Sequence, residues 1–299
     1  MKLLLENWNK YLVNEVLSLS YYDEPMSAVE QANYDFIMQE IEKNPLFAQT
    51  LLSKVLDSVE PTPEEDLVEG LVREAPPLNT EIISSLAGVG TKGIVFRLKN
   101  GNILKIYSSG YLDQAEFRLS DPGWSNFSTG EKEEQFYASE KSKMFSGDGS
   151  VSTLPIYDQG TFDLFEAKIK FVEMAEVMPF DKYLEFTGRS YEGDFDKDDY
   201  GDILTAITAM KRVMIMYKRP GHYGTQEPRA TRAERLEDAI MAIKKSKLTG
   251  PEAKGIANML KYVITKYSPD YLQDFHAGNF GVVRQTIATN KPAFVLFDP

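Results

Sequence analysis

The sequence predicts an α+β protein of two lobes, and three observations carry that reading. Apolar residues recur at helical spacing near the N-terminus, the spacing changes to that of strands with hairpin turns from residue 82, and a second helical half ends in another hairpin. With 42% hydrophobic and 12% aromatic residues in 299, the chain has the composition of a folded globular protein rather than a disordered one.

The elements follow in order. Leu4, Leu5, Trp8, Leu12, Val16 and Leu19 form one helical stripe. Ser27 with Glu30 reads as a capping box, and Val29, Ala32, Phe36, Ile37 and Ile41 continue on one face of the helix it opens. PLFAQTLLSKVLDSV adds a third helix, opened by Pro45. EPTPEEDLVEGLVREAPP, rich in Pro and acid, reads as a linker with at most one helical turn. Residues 1–60 are therefore expected to be an acidic helical extension and 61–78 a linker.

IISSLA, IVFRL and NILKIY then read as three strands in two successive hairpins. Asn100-Gly101 between the last two predicts a type I′ turn, in which both central residues take positive φ. A helix is expected over 129–145, and strands near 153–157 and over 166–174. After Pro179 the spacing is helical again, in DILTAITAMKRVMIMYK, RAERLEDAIMAIKKSK and GPEAKGIANMLKYVITKY. The sheet lobe is placed at 79–177 and the helical lobe at 178–299.

Composition narrows the setting. Without cysteine there is no disulfide framework, and a reducing cytosol is the simplest compartment. MKLLLENW is too short and too acidic for a signal peptide, and the longest apolar run, AFVLF, is far below a membrane span. A soluble, cytoplasmic protein without a membrane partner is expected. The net charge of −12 argues against generic nucleic-acid binding, which needs a large positive field. The charge is uneven: residues 1–80 hold 15 acids and 5 bases, whereas 208–266 hold 13 bases and 5 acids. The two regions could attract across an interface, or both could be solvated helix faces.

Chemistry is suggested first by GVGTKGIV, in which Gly88, Gly90, Gly93 and Val95 spell G-x-G-x-x-G-x-V. Alone the pattern is weak, since dinucleotide-binding folds share its spacing. Those folds need a helix after the glycines to hold the pyrophosphate; here a strand and a hairpin follow. A glycine-rich strand–turn–strand instead suits a lid over nucleotide phosphates. Lys105 lies on the next strand, and an inward ammonium in an apolar strand requires an anionic partner. Glu131, Glu133 and Glu134 on the following helix are the candidates. Near the C-terminus, Asp274-Phe-His276-Ala-Gly-Asn279 sets an Asp and an Asn five apart, and Asp298 follows 19 residues later, after another hairpin. Hard oxygen donors of this kind suit Mg²⁺.

In this order the motifs over residues 82–299 resemble the protein-kinase-like superfamily, and the Asp-x-His-x-x-Asn loop is most similar to that of aminoglycoside phosphotransferases and related small kinases. The resemblance implies a bilobal kinase-like fold with an antiparallel N-lobe, a reduced helical C-lobe and an added helical N-terminal region. It implies ATP and Mg²⁺ as cofactors, Lys105 on the phosphates with Glu133, the acid that precedes apolar Phe136 and Tyr137, as its best-fitting partner, Asp274 as the base that accepts a proton from an acceptor hydroxyl, and His276 on the loop or the γ-phosphate. Asn279 and Asp298 would hold the metal, and Glu173, Met174 and Ala175 would lie in the adenine-binding hinge. The opening MKLLLENWNKYL is similar to the start of bacteriophage proteins, which implies a bacterial or phage-infected cell.

There are departures. Leu272-Gln273 replaces His-Arg before Asp274, Pro299 replaces Phe-Gly after Asp298, and no activation segment is expected. A phosphotransferase acting on an unknown hydroxyl is the leading expectation. The alternatives are an inactive nucleotide-binding pseudokinase serving as a regulatory module and a kinase-like enzyme that transfers AMP. Two further motifs are set aside. DFDKDDYGD has Asp199 where a Ca²⁺ loop needs Gly, and His222 has no second His nearby.

Overall fold

The computed structural model describes residues 24–55, 62–90, 93–108, 129–145, 152–165, 167–189, 209–210, 232–246, 248–266, 278–289 and 291–297. The architecture is α+β. Helix α1 (Ala28–Lys43) opens on the expected capping box: the Glu30 amide donates to Ser27 Oγ at 3.3 Å, and the Ser27 amide donates to the Glu30 carboxylate at 2.6 Å. Pro45 starts α2 (Pro45–Gln49), capped by the Asn44 side chain. One π-helical stretch, Thr50–Val55, continues from it rather than a longer α-helix. The expected helix over residues 4–19 lies outside the described residues.

The segment expected to be a linker is a correction. It forms α3 (Glu64–Glu74) and α4 (Pro76–Thr80), and α3 buries Leu67, Val68, Leu71 and Val72. Pro63, Pro76 and Pro77 sit at helix starts, where a missing N–H costs nothing, and Glu64, Glu65 and Asp66 occupy the first turn of α3, where they favour the helix dipole. Nor do these helices form a separate extension. Fully buried Asn33 on α1 donates to the carbonyls of Leu78 (2.6 Å) and Glu81 (2.8 Å) and accepts from the Ile83 amide (2.8 Å). One side chain thus joins α1 to the end of α4 and to the first strand.

Five strands follow: β1 (Ile83–Val89), β2 (Gly93–Leu98), β3 (Asn102–Ser108), β4 (Ile156–Leu164) and β5 (Ala167–Ala175). They form an antiparallel sheet in the order β1-β2-β3-β5-β4, with α5 (Thr129–Phe145) between β3 and β4 in the chain. The β2–β3 hairpin is present, but its turn is not type I′. Gly101 alone takes positive φ, at 86°, and its amide donates to the Leu98 carbonyl. That is a type I-like turn closed by a left-handed glycine, a common solution for a loop longer than two residues. The strand expected at 153–157 begins three residues later and runs through 164.

A second, three-stranded antiparallel sheet joins β6 (Val177–Pro179), β7 (Phe280–Val283) and β8 (Phe294–Leu296), with a 3-10 turn at Arg284–Thr286. The remaining helices are α6 (Phe180–Phe186), α7 (Arg232–Lys245) and α8 (Gly250–Lys266). Ala209 and Met210 are helical; the rest of the helix expected over 202–218 lies outside the described residues. Among the described residues no helix is long and apolar enough to cross a membrane.

Two apolar cores lie on the two faces of the five-stranded sheet. Ile94, Phe96, Leu98, Leu104, Ile106, Ile169 and Phe171 pack with Ile37, Phe47, Leu51, Leu67 and Leu71 of the N-terminal helices. On the other face Ile103, Tyr107, Val172 and Met174 pack with Phe136 and Tyr137 of α5 and with α6, α7, α8 and the small sheet. Alternation along each strand separates the two sets. On β4 a register irregularity between Ile156 and Asp158 switches the face: Ile156 belongs to the second core, Phe162 and Leu164 to the first. The acidic helices described in 24–80 therefore cover the sheet, and apolar burial rather than charge determines where they sit.

A partly buried Arg189–Glu252 pair fixes the helical half. Both guanidinium nitrogens, Nη1 and Nη2, donate to the Glu252 carboxylate; the Tyr183 hydroxyl (2.7 Å) and the Thr249 amide (2.7 Å) donate to it as well. Burial alone would raise this carboxyl, but these donors outweigh it and hold the pKa at about 2. The same burial and the bond to Glu252 push the Tyr183 hydroxyl up to about 12.

Candidate functional site

The candidate site lies on the sheet face shared with α5 and the helical half. It begins with the glycine hairpin between β1 and β2. Gly93 is required by packing, because a Cβ there would lie 2.5 Å from the Ile106 carbonyl oxygen. Gly88 and Gly90 are different. Neither takes positive φ, a Cβ on Gly88 would meet nothing within 4 Å, and one on Gly90 would meet only the Gly93 carbonyl, at 3.8 Å. Packing within the described fold does not demand glycine at those two positions; close approach of another group would.

Val95 stands opposite Lys105 in the β2–β3 register, beneath this hairpin. Lys105 is only 8% exposed, in a strand whose neighbours are Leu104 and Ile106. Its Nζ lies 3.2 Å from Glu133 Oε2, and Glu133 is 2% exposed. The contact is one of charge rather than an aligned hydrogen bond, since among the described residues Oε2 has no hydrogen-bond partner in good geometry. The ammonium also lies 5.9 Å from the ring centres of both Tyr107 and Tyr137 and donates to Tyr137 Oη at 3.4 Å. Burial, with the Glu133 charge added, holds the Tyr107 hydroxyl above the usual phenol range. Of the other expected partners, Glu134 is 2.6 Å from Lys170, and the Glu131 side chain lies outside the described set.

Residues Glu133, Phe136, Tyr137 and Glu140 are the buried stripe of α5, at the i, i+3, i+4, i+7 spacing of one helix face. Glu140 anchors the far end. It accepts from the Leu154 amide (2.6 Å), the Tyr262 hydroxyl on α8 (2.7 Å) and Lys143 Nζ (3.3 Å). Burial lowers the Lys143 ammonium pKa, against the opposing pull of Glu140. Sequence reasoning missed Glu140, Tyr262 and the hydroxyl role of Tyr137. Period-3.6 spacing marked the stripe, but nothing in it distinguishes a buried carboxylate from a solvated one.

Asn279 is 6% exposed and directly precedes β7. Phe280 pairs with Leu296, and the Phe297 amide donates to the Asn279 carbonyl at 2.9 Å. Asn279 is thereby held opposite Phe297, the residue before Asp298. The Tyr137 hydroxyl donates to the Phe297 carbonyl at 3.3 Å, so Lys105 and the Asn279 strand pair meet through α5. The Asn279 side-chain amide supplies one hard oxygen of the kind Mg²⁺ takes. Asp274, His276 and Asp298 lie outside the described residues, as do the 194–202 loop and His222. Among the described residues no three acidic or histidine groups converge on one point.

The expected hinge is the β5–β6 junction. The Glu173 side chain accepts from Asn100 and Asn102 of the β2–β3 hairpin, while Met174 is buried in the core. The Ala175 amide donates to the Pro155 carbonyl at 3.0 Å, so that amide is engaged within the protein. Glu176 joins the two sheets: Oε1 accepts from Arg97 of β2 at 2.7 Å and from Arg284 after β7 at 2.6 Å, and its carbonyl accepts the Arg284 amide.

Compared with known proteins, the chain matches no family model and no curated protein.

Proposed function

We propose that the chain is an ATP- and Mg²⁺-dependent phosphotransferase of kinase-like fold, transferring the γ-phosphate to a hydroxyl of a small-molecule or protein acceptor. The observation that carries this reading is the buried Lys105–Glu133 pair on the sheet face beneath the glycine hairpin. A buried ion pair is a poor way to stabilise a core, because desolvation offsets most of its Coulomb attraction. It is a good way to hold an ammonium ready for phosphate oxygens. The room that a Cβ on Gly88 or Gly90 would find among the described residues and the placement of Asn279 opposite Phe297 support the same reading.

In this reading the hairpin backbone covers the phosphates, and Lys105 aligns them while Glu133 keeps its ammonium in place. Asn279 and Asp298 would hold Mg²⁺, which when bound supplies charge neutralisation at the phosphates. Asp274 would take the acceptor's proton. Catalysis is then mainly positioning, with little covalent work for the protein.

Titration calorimetry with ATP, with and without Mg²⁺, tests the reading. Asn279→Ala and Asp298→Ala are expected to weaken Mg²⁺-dependent binding at least about tenfold, while Asp274→Ala keeps the nucleotide and stops transfer. Equal binding by all three variants, indifferent to Mg²⁺, would remove the site assignment. Transfer of label from α- rather than γ-labelled ATP would replace phosphate transfer by AMP transfer.

A further inference from the structure

The Tyr137 hydroxyl stands between the two parts of the site. Tyr137 follows Glu133 by one helical turn and is fully buried. Its ring packs edge-on against Phe136, with centres 5.5 Å apart, and against Tyr107, at 6.1 Å. A phenylalanine would make these contacts equally well. The hydroxyl adds two bonds: it accepts from Lys105 Nζ at 3.4 Å and donates to the Phe297 carbonyl at 3.3 Å. An ammonium can only donate, so Lys105 occupies an oxygen lone pair and the phenolic proton is left for Phe297. The Phe297 amide in turn donates to the Asn279 carbonyl. One path therefore runs from Glu133 through Lys105, Tyr137 and Phe297 to Asn279, crossing from the five-stranded sheet to the small one.

We infer that Tyr137 is a positioning residue that holds the Phe297 carbonyl, and with it the Asn279 strand pair, in register with the Lys105 ammonium. Its function is to keep the metal-side strand pair at a set distance from the phosphate-side cation. The inference rests on the nucleotide-binding reading above. Both bonds are long, so each is of modest strength, and the effect should appear in metal dependence rather than in folding.

The test is Tyr137→Phe in the full chain, followed by calorimetry with ATP alone and with ATP over a Mg²⁺ series, and by thermal melting. The expected result is a melting temperature lowered by no more than about 4 °C. Metal-free ATP affinity should stay within about twofold, while the Mg²⁺ concentration for half-maximal nucleotide binding rises about fivefold, the size of one modest hydrogen bond. An unchanged Mg²⁺ requirement would overturn the inference. So would a parallel loss of metal-free affinity, Mg²⁺ response and melting temperature, which would mean that the residue only packs. If the wild-type chain binds no ATP at any Mg²⁺ concentration, the phosphotransferase reading fails and takes this inference with it; if wild type binds and Tyr137→Phe matches it, the inference alone fails.

Discussion

On β3, Leu104 and Ile106 face the N-terminal helices, while Ile103, Lys105 and Tyr107 face α5 and the helical half. The two faces are one residue apart and differ in kind. The first is packed by aliphatic and aromatic side chains, among them Phe47 and Phe96, whose rings meet edge-on at 6.1 Å, and the buried polar groups of its helices, Asn33 and Thr50, are uncharged. The second embeds the Lys105 cation, the Glu133 and Glu140 carboxylates and the phenols of Tyr107 and Tyr137 among apolar side chains. The difference teaches a division of labour. The covered face stabilises the sheet by burial, and that stability lets the opposite face hold a desolvated ion pair whose own contribution to folding is small or negative.

The comparison breaks most completely if the cover is removed. A chain beginning at Asn79 exposes Ile94, Phe96, Leu104, Ile106 and Phe171 together, and is expected to be insoluble or to lack a cooperative melt. A soluble, folded product of that truncation would show that the helices are dispensable. Next in size, Phe96→Ala should cost about 3–5 kcal/mol by urea unfolding, while the folded protein keeps its nucleotide affinity within about threefold.

The other face sharpens the contrast. Lys105→Met leaves Glu133 buried without its cation and should destabilise by roughly 3 kcal/mol. Lys105→Met with Glu133→Met should recover most of that stability, yet neither variant should retain more than a small share of turnover. Recovery of turnover in the double variant would mean that the pair serves folding alone.

An effect confined to acid pH separates this pair from a purely structural one. Glu252 titrates at about 2 when folded, below its ordinary 4.5. The stability from its bonds to Arg189, Tyr183 and Thr249 is therefore complete above pH about 4.5 and lost as the pH falls toward about 2. Glu252→Gln should be less stable than wild type at neutral pH. The gap should narrow across that acid window in pH-dependent urea melts, with nucleotide affinity unchanged. A gap that stays constant from pH 7 to pH 2 would refute the assignment of the linkage to Glu252.

Local signals made much of the middle of the chain legible. Alternation in IVFRL and NILKIY, a glycine at the turn, and the stripe through Glu133, Phe136 and Tyr137 all act over a few residues, and the strands and α5 lie where those signals place them. The choice of Glu133 among three neighbouring acids followed from the resemblance, which sets that acid three and four residues before apolar ones, here Phe136 and Tyr137. The Ser27–Glu30 capping box is local in the same sense.

What the sequence by itself determined is thus the α+β class, the antiparallel hairpins and the residues able to meet at the glycine hairpin and Lys105, since backbone sterics and side-chain period set these within one element. Only the tertiary structure decided that Leu67, Val68, Leu71 and Val72 form a buried helix face instead of a linker, because prolines and acids mark both a helix start and an open chain until a sheet is there to cover. Tertiary packing likewise chose the turn at Gly101 and the switch of face on β4, and it buried Glu140 against Tyr262 on a helix more than a hundred residues away. Each depends on a partner distant in sequence, and the free energy of burial or of a satisfied carboxylate exists only once that partner is in place.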